Sequence, residues 1–213
     1  MEMKLTPKSE IETRITKLQQ KLVEQDFDMF YFTGTVQNSY LYVPASGEPV
    51  LMIRKSLRRG KEESPLKNII PIKSLQEMPS ILNTFAYTSL NKIGLELDVL
   101  PLNLYKKYQK VFPNTDFADI SPMIKEIRAI KSPYEIELLR DALSVINKAH
   151  LAVPSFLREG MLEIELAALF EAEMRRRGYS GCCKMRAFNQ DLFLGNICTG
   201  SSGIVPSFFD GPV

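Results

Sequence analysis

Six short apolar or aromatic runs, set apart by segments of helical period, constrain what the front of this chain can fold into. Asp28 to Thr33, Ser39 to Val43, Val50 to Arg54, Asn68 to Ile72, Lys92 to Leu97 and Asp116 to Ile120 each have the length and β-branched or aromatic content of a strand. The turn-forming Pro44-Ala-Ser-Gly47 joins the second run to the third and predicts a hairpin. Ile11, Ile15, Leu18 and Leu22 share one face of a leading helix, and further helices are expected near Gln76 to Ala86 and Pro101 to Val111. Strands alternating with amphipathic helices predict an α/β domain, a mixed sheet flanked by helices.

The pattern changes after Ile120. Ser121-Pro122 opens a short helix, and Ser132-Pro133-Tyr134-Glu135 opens a long one. Ser132 is a capping residue, Pro133 takes the first helical position where its missing N–H costs nothing, and Glu135 completes a capping box. Leu139, Ala142, Leu143, Ile146, Ala149, Val153 and Phe156 then form a stripe that reads as core-facing, and Gly160 lies beyond the end. A second helix is expected over Glu163 to Arg177, with the stripe Leu166, Leu169, Phe170 and Met174 and an exit at Gly178. Gly181 to Phe188 and Leu192 to Thr199 read as two strands, followed by a turn-rich tail from Gly200. Two helices and two strands leave apolar faces with no third layer, the pattern expected of a domain cut short at Val213.

Composition narrows the function classes. Hydrophobic residues at 45% and charged residues at 24% describe a chain able to bury a core. A net charge of +2 gives no general attraction for nucleic acid or anionic membranes. Arg54, Lys55, Arg58, Arg59 and Lys61 form a local basic tract that reads as a solvated loop face, a phosphate-binding patch being the alternative; it lacks the aromatics on which bases stack. No run reaches the ~18 apolar residues of a membrane span, and a cytoplasmic location is expected. Cys182, Cys183 and Cys198 form no CxxC pair and read as reduced, partly buried thiols. His150 is the single histidine and reads as a helix residue rather than a ligand.

The segment from Arg128 to Arg140 (RAIKSPYEIELLR) resembles the opening of the catalytic domain in the creatinase and Xaa-Pro peptidase family. Arg158 to Ala167 with Met174 to Gly178 is similar to that family's next helix. Arg14 to Gln19, Asp26 to Asp28 and Asn38 to Leu41 resemble its amino-terminal domain. The resemblance implies a creatinase-type amino-terminal α/β domain over residues 1–127 and the beginning of an α+β pita-bread peptidase domain over residues 128–213. It also implies a homodimer, and an intact enzyme that hydrolyses the peptide bond preceding proline. Two divalent metal ions, manganese, cobalt or zinc, would activate water there, held by carboxylates and a histidine.

On the resemblance, the family's metal ligands fall after Val213, so no metal ligand and no catalytic residue is expected in this chain. The family places a substrate-contacting histidine after a Gly-rich turn and a proline. The corresponding stretch here is Thr199 to Pro206, and Ser207 stands where the histidine is expected. A hydroxyl can hydrogen-bond but cannot carry the imidazole's charge. Ser207, Phe208 and Asp210 are therefore the candidate substrate-binding residues, with core packing and a surface turn as the alternative for Phe208 and Asp210. Asn38 and Tyr40 to Tyr42 would reach a neighbouring subunit's active site, or else pack on an edge strand. Leu162 replaces the threonine that usually caps the second helix, at a cost of about 1 kcal/mol. A non-hydrolytic relative serving in binding or dimerisation, and a creatinase-like amidinohydrolase, are the alternatives.

Overall fold

The computed structural model describes residues 5–27, 29–33, 39–88, 90–181, 183–184, 186, 191–192 and 197–204. The chain divides into two compact units, Met1–Ile130 and Lys131–Val213.

The first unit opens with α1 (Lys8–Glu24), then β1 (Met29–Thr33), β2 (Ser39–Pro44) and β3 (Val50–Ile53). Next come α2 (Leu57–Glu63), β4 (Asn68–Pro71), α3 (Met78–Thr84), β5 (Lys92–Leu95), α4 (Leu102–Val111), β6 (Asp116–Asp119) and α5 (Ser121–Ala129). The strands form one sheet in the order β4-β3-β2-β1-β5-β6. The hairpin is present, with Ser39 opposite Ile53 and Tyr42 opposite Val50. Strand β2 is antiparallel to both its neighbours, and the β3–β4, β1–β5 and β5–β6 pairs are parallel.

Side chains that alternate along a strand feed two separate cores. On one face Tyr42, Val50, Met52, Ile93 and Leu95 pack with Met78 and Leu82 of α3 and Tyr108 of α4. On the other, Val43 and Ile120 pack with Leu18 and Leu22 of α1 and Met123 of α5. The sheet is thus covered on both sides, as the α/β expectation requires.

Two expectations for this unit need correction. The basic tract is not a loop face: Arg58, Arg59 and Lys61 lie on α2, where Arg58 pairs with Glu62 at 2.8 Å and Arg59 with Glu63 at 2.5 Å. The acidic residues four positions on supply the helical partners. Nor is β2 an edge strand, since it bonds on both sides and buries Tyr42 to 2% exposure. Tyr42 is part of this chain's own core, whereas Asn38 lies outside the described residues.

Helix exits set where the cores begin. After α1, Asp26 takes a left-handed φ of 58°, the Phe27 N–H reaches back to the Leu22 carbonyl at 2.9 Å and the Asp26 N–H to that of Val23 at 3.3 Å. After α3, Ala86 takes φ 63° with the matching bonds from Tyr87 to Leu82 and from Ala86 to Asn83. Both are Schellman closures, in which the residue after the turn packs on the helix's last inward side chain. Leu22 with Phe27, and Leu82 with Tyr87, are those contacts. Alanine pays a steric penalty in the left-handed region that glycine does not. Ala86→Gly is therefore expected to raise stability by about 0.5–1 kcal/mol, after allowing for glycine's greater freedom in the unfolded chain. A higher urea midpoint at unchanged slope would show it; a lower midpoint would contradict the closure.

The entry to α5 depends on charge. Burial alone would push the Asp119 carboxyl up. Hydrogen bonds from the Ser121 hydroxyl (2.5 Å), the Ser121 N–H (2.9 Å) and the Leu97 N–H (3.2 Å) outweigh burial and a further push from Asp98, and hold it below the ordinary carboxylate range. These bonds join the end of β5 to the first turn of α5. A carboxylate depressed in the folded state stabilises fully above its unfolded pKa of about 3.9 and loses that contribution as pH falls through the lower folded value. Losing these hydrogen bonds, Asp119→Ala should cost about 1 kcal/mol at neutral pH. The gap from wild type should narrow below about pH 4, and denaturation that shows the same gap at both pH values would exclude the charge as its source.

The second unit contains α6 (Pro133–Ala152), α7 (Glu163–Arg176), the short pair β7 (Cys183–Lys184) and β8 (Asp191–Leu192), and α8 (Gly200–Ile204). The α6 capping box is made as expected: the Ser132 hydroxyl accepts from the Glu135 N–H at 3.2 Å, and the Glu135 carboxylate accepts from the Ser132 N–H at 2.9 Å. At α7, Leu162 has no acceptor, so only the reciprocal half exists, from the Leu162 N–H to Glu165 at 3.0 Å. Gly178, with φ 99°, closes α7 by the same motif, bringing Tyr179 onto Met174.

The α6 stripe is only partly core-facing. Ala149 is buried and packs with Phe170 and Met174 of α7, but Leu139 and Leu143 are more than half exposed. The helical period identifies an apolar face; it does not supply an element to cover it. Of the two expected strands, residues 183–184 and 192 are paired in β7 and β8, residues 182, 185, 187–188 and 193–196 lie outside the described residues, Ile197 to Thr199 are not in a strand, and Gly200–Ile204 is helical where a turn was expected.

Candidate functional site

Residues 197–199, upstream of Ser207 in the sequence, are anchored to α7 and its packing cluster. Glu163 stands at the first position of that helix, where a carboxylate is favoured by the helix dipole. Its Oε1 accepts from the Thr199 N–H at 2.6 Å and from the Thr199 hydroxyl at 2.8 Å. Two residues earlier, Ile197 packs against the Ala149, Phe170 and Met174 cluster. A polar and an apolar anchor thus fix residues 197–199, and Gly200, with a left-handed φ of 56°, turns the chain into α8. Ser207, Phe208 and Asp210 lie outside the described residues.

The far end of α7 is strongly cationic. Glu173 pairs with Arg176 at 3.1 Å and with Arg177, and Arg175 pairs with Glu171 at 2.7 Å. The Arg176 guanidinium first, then that of Arg177, holds the Glu173 carboxyl below its ordinary range against a partial loss of water. These are helix-spaced surface pairs, and they complement the dipole at a C-terminus.

His150 lies on α6, as expected. Its Nδ1 is 3.1 Å from the Ile146 carbonyl, and its ring meets Phe170 edge-on at 4.9 Å. Cys198 is a free thiol and is exposed, which corrects the expectation of partial burial; Cys182 lies outside the described residues. Among the described residues no group of three or more His, Cys, Asp or Glu could hold a metal ion. A dimetal centre of the implied kind therefore does not fit the described donor set. No helix among the described residues is long and apolar enough to cross a membrane.

The sequence marked Glu163 only as a helix start. Its partner is 36 residues away, so no local pattern could pair them.

Residues 14–130, more than half of the chain, match the model of the Creatinase/Prolidase N-terminal domain. The chain belongs to the creatinase/prolidase family. Residues 137–212 match Metallopeptidase family M24, so this creatinase/prolidase chain carries the amino-terminal domain and the start of the catalytic one. It is 28% identical over 180 residues to an uncharacterized peptidase of Staphylococcus epidermidis, covering 78% of this chain and 50% of that protein. It is 27% identical over 158 residues to a Xaa-Pro dipeptidase of Pyrococcus furiosus, covering 73% of this chain and 43% of that one. The solved Xaa-Pro dipeptidase from Bacillus anthracis superposes with a TM-score of 0.69 at 21% identity, over 79% of this chain and 50% of that one, which shows the shared fold. The chain spans about half the length of the curated relatives it matches.

Proposed function

We propose that the protein to which these residues belong is a metal-dependent Xaa-Pro dipeptidase or aminopeptidase, that it is cytoplasmic, and that it works as a homodimer on peptides with proline in the second position. The observation that carries this reading is the consecutive match to the two domain families over residues 14–130 and 137–212, together with the similarity to a Xaa-Pro dipeptidase over most of the chain. Divalent metal ions, when bound, supply Lewis-acid activation of water in such chemistry. The described residues offer no cluster to hold them, so the part proposed for this chain is to shape the scaffold and to present the segment running from Thr199 to Ser207 to the substrate. Residues 1–213 alone are then inactive.

The test compares two samples. Residues 1–213 with added manganese should release no proline from Xaa-Pro dipeptides, while a protein extended to the length of its relatives should do so and should bind about two metal ions. Hydrolysis by the shorter sample, or none by the longer, overturns the proposal.

A second reading is a relative that binds without hydrolysing, favoured by Ser207 in place of the expected histidine. Negligible metal in the extended protein would select it. An amidinohydrolase of the creatinase kind would depend on that same histidine, so Ser207 counts against it.

A further inference from the structure

Glu163 opens α7, yet its carboxylate is turned away from that helix's own cap. Glu165 takes the Leu162 N–H, whereas Glu163 receives two hydrogens from Thr199. Accepting both the N–H and the hydroxyl of one residue fixes that residue's backbone and its rotamer together. Bonds to an ionised acceptor are roughly twice as strong as neutral ones. The five residues of α8 that follow are far too few to hold a helix by themselves. The Gly203 N–H donates to the Thr199 carbonyl at 3.3 Å, so what fixes residue 199 also helps to place α8.

We infer that Glu163 is a positioning residue: it latches Thr199 to the first turn of α7 and so sets where the segment leading to Ser207 begins. The consequence for substrate rests on the peptidase reading above; the latch does not. Ile197 and Thr199 stand two residues apart and are each anchored to the second unit's helices. Ile197 reaches the apolar cluster and Thr199 reaches Glu163. Removing the carboxylate leaves the apolar anchor in place, so α7 and its packing on α6 should survive while residues 199–204 loosen.

Hydrogen–deuterium exchange on the protein tests the latch directly. In Glu163→Ala, peptides spanning 197–204 should exchange about tenfold faster, as expected for losing a charge-assisted bond at an exposed position. Peptides from α6 should be unaffected. Thr199→Ser, which keeps both donors, should exchange like wild type, and Thr199→Val, which loses the hydroxyl, should fall between. Unchanged exchange in Glu163→Ala or Thr199→Val overturns the latch. In the extended protein, Glu163→Ala should raise KM for a Xaa-Pro dipeptide by more than it lowers kcat; accelerated exchange with both constants unmoved overturns the positioning role. A wild-type protein inert towards such peptides overturns the peptidase reading instead, and the exchange data still decide the latch.

Discussion

Leu82→Ala is expected to destabilise the amino-terminal unit by about 2–5 kcal/mol, the range for emptying a leucine-sized volume in a packed core. Leu82 is fully buried among Tyr42, Met52, Ile93 and Tyr108, where sheet and helices meet from several directions. That geometry resists collapse into the space left behind, which favours the upper part of the range. Alanine is the better helix former, so the α3 backbone should be intact and the loss should come from packing alone. Leu82 is also the side chain on which Tyr87 closes, and Tyr87 in turn donates its hydroxyl hydrogen to the Glu48 carbonyl at 2.9 Å. The same substitution should therefore loosen the β2–β3 turn. Leu102→Ala, at a residue 64% exposed, is the control and should stay within about 0.5 kcal/mol of wild type. Urea unfolding of the three proteins measures the effect. A Leu82→Ala loss no larger than the Leu102→Ala loss would show that the core on this face is not close-packed.

Gly94→Ala should cost about 1–3 kcal/mol, although alanine is ordinarily the more favourable residue inside a strand. Gly94 sits in β5, bonded between β1 and β6, opposite Phe30 on one side and Ala118 on the other. A Cβ there would lie 2.7 Å from Cγ2 and 3.0 Å from Cδ1 of Ile120, which is itself 1% exposed. Neither partner can yield cheaply, because the strand is fixed on both edges and Ile120 is wedged among Leu18, Leu22 and Met123. The signature of this cause is coupling between neighbours. Ile120→Ala alone empties space and destabilises. Added to Gly94→Ala it also relieves the clash, so the double variant should be more stable than the sum of the two single losses implies. Strict additivity in a double-mutant cycle would sink the steric account.

Much of the amino-terminal architecture is legible because strand and helix periods are local. Every expected strand there appears within a residue or two, as do α3 and α4, and α1 carries the expected stripe. Helix α2 escapes the sequence reading because its basic tract reads as a solvated loop face; the i,i+4 pairs that support it are present in the sequence but hidden by the polarity of the tract. Of three helix exits with one geometry, only Gly178 was recognisable. Asp26 and Ala86 use the same left-handed turn without the residue that usually marks it, and only the packing of Phe27 and Tyr87 makes the cost worthwhile.

The site divides along the same line. Family membership was readable from the run Arg128 to Arg140 and its companions, since short motifs persist in a single sequence. The Glu163 to Thr199 contact was not, because hydrogen bonding between residues far apart in the chain leaves no periodic trace. Sequence by itself determined the strands of the amino-terminal unit and most of its helices, the capping box at Ser132 and the α/β class, all products of interactions spanning a few residues. Only the tertiary structure decided which faces are covered, leaving Leu139 and Leu143 exposed while Ala149 is buried, and which carboxylate reaches the segment before Ser207. Burial and long-range pairing depend on the path of the whole chain through space, and local pattern carries no record of that path.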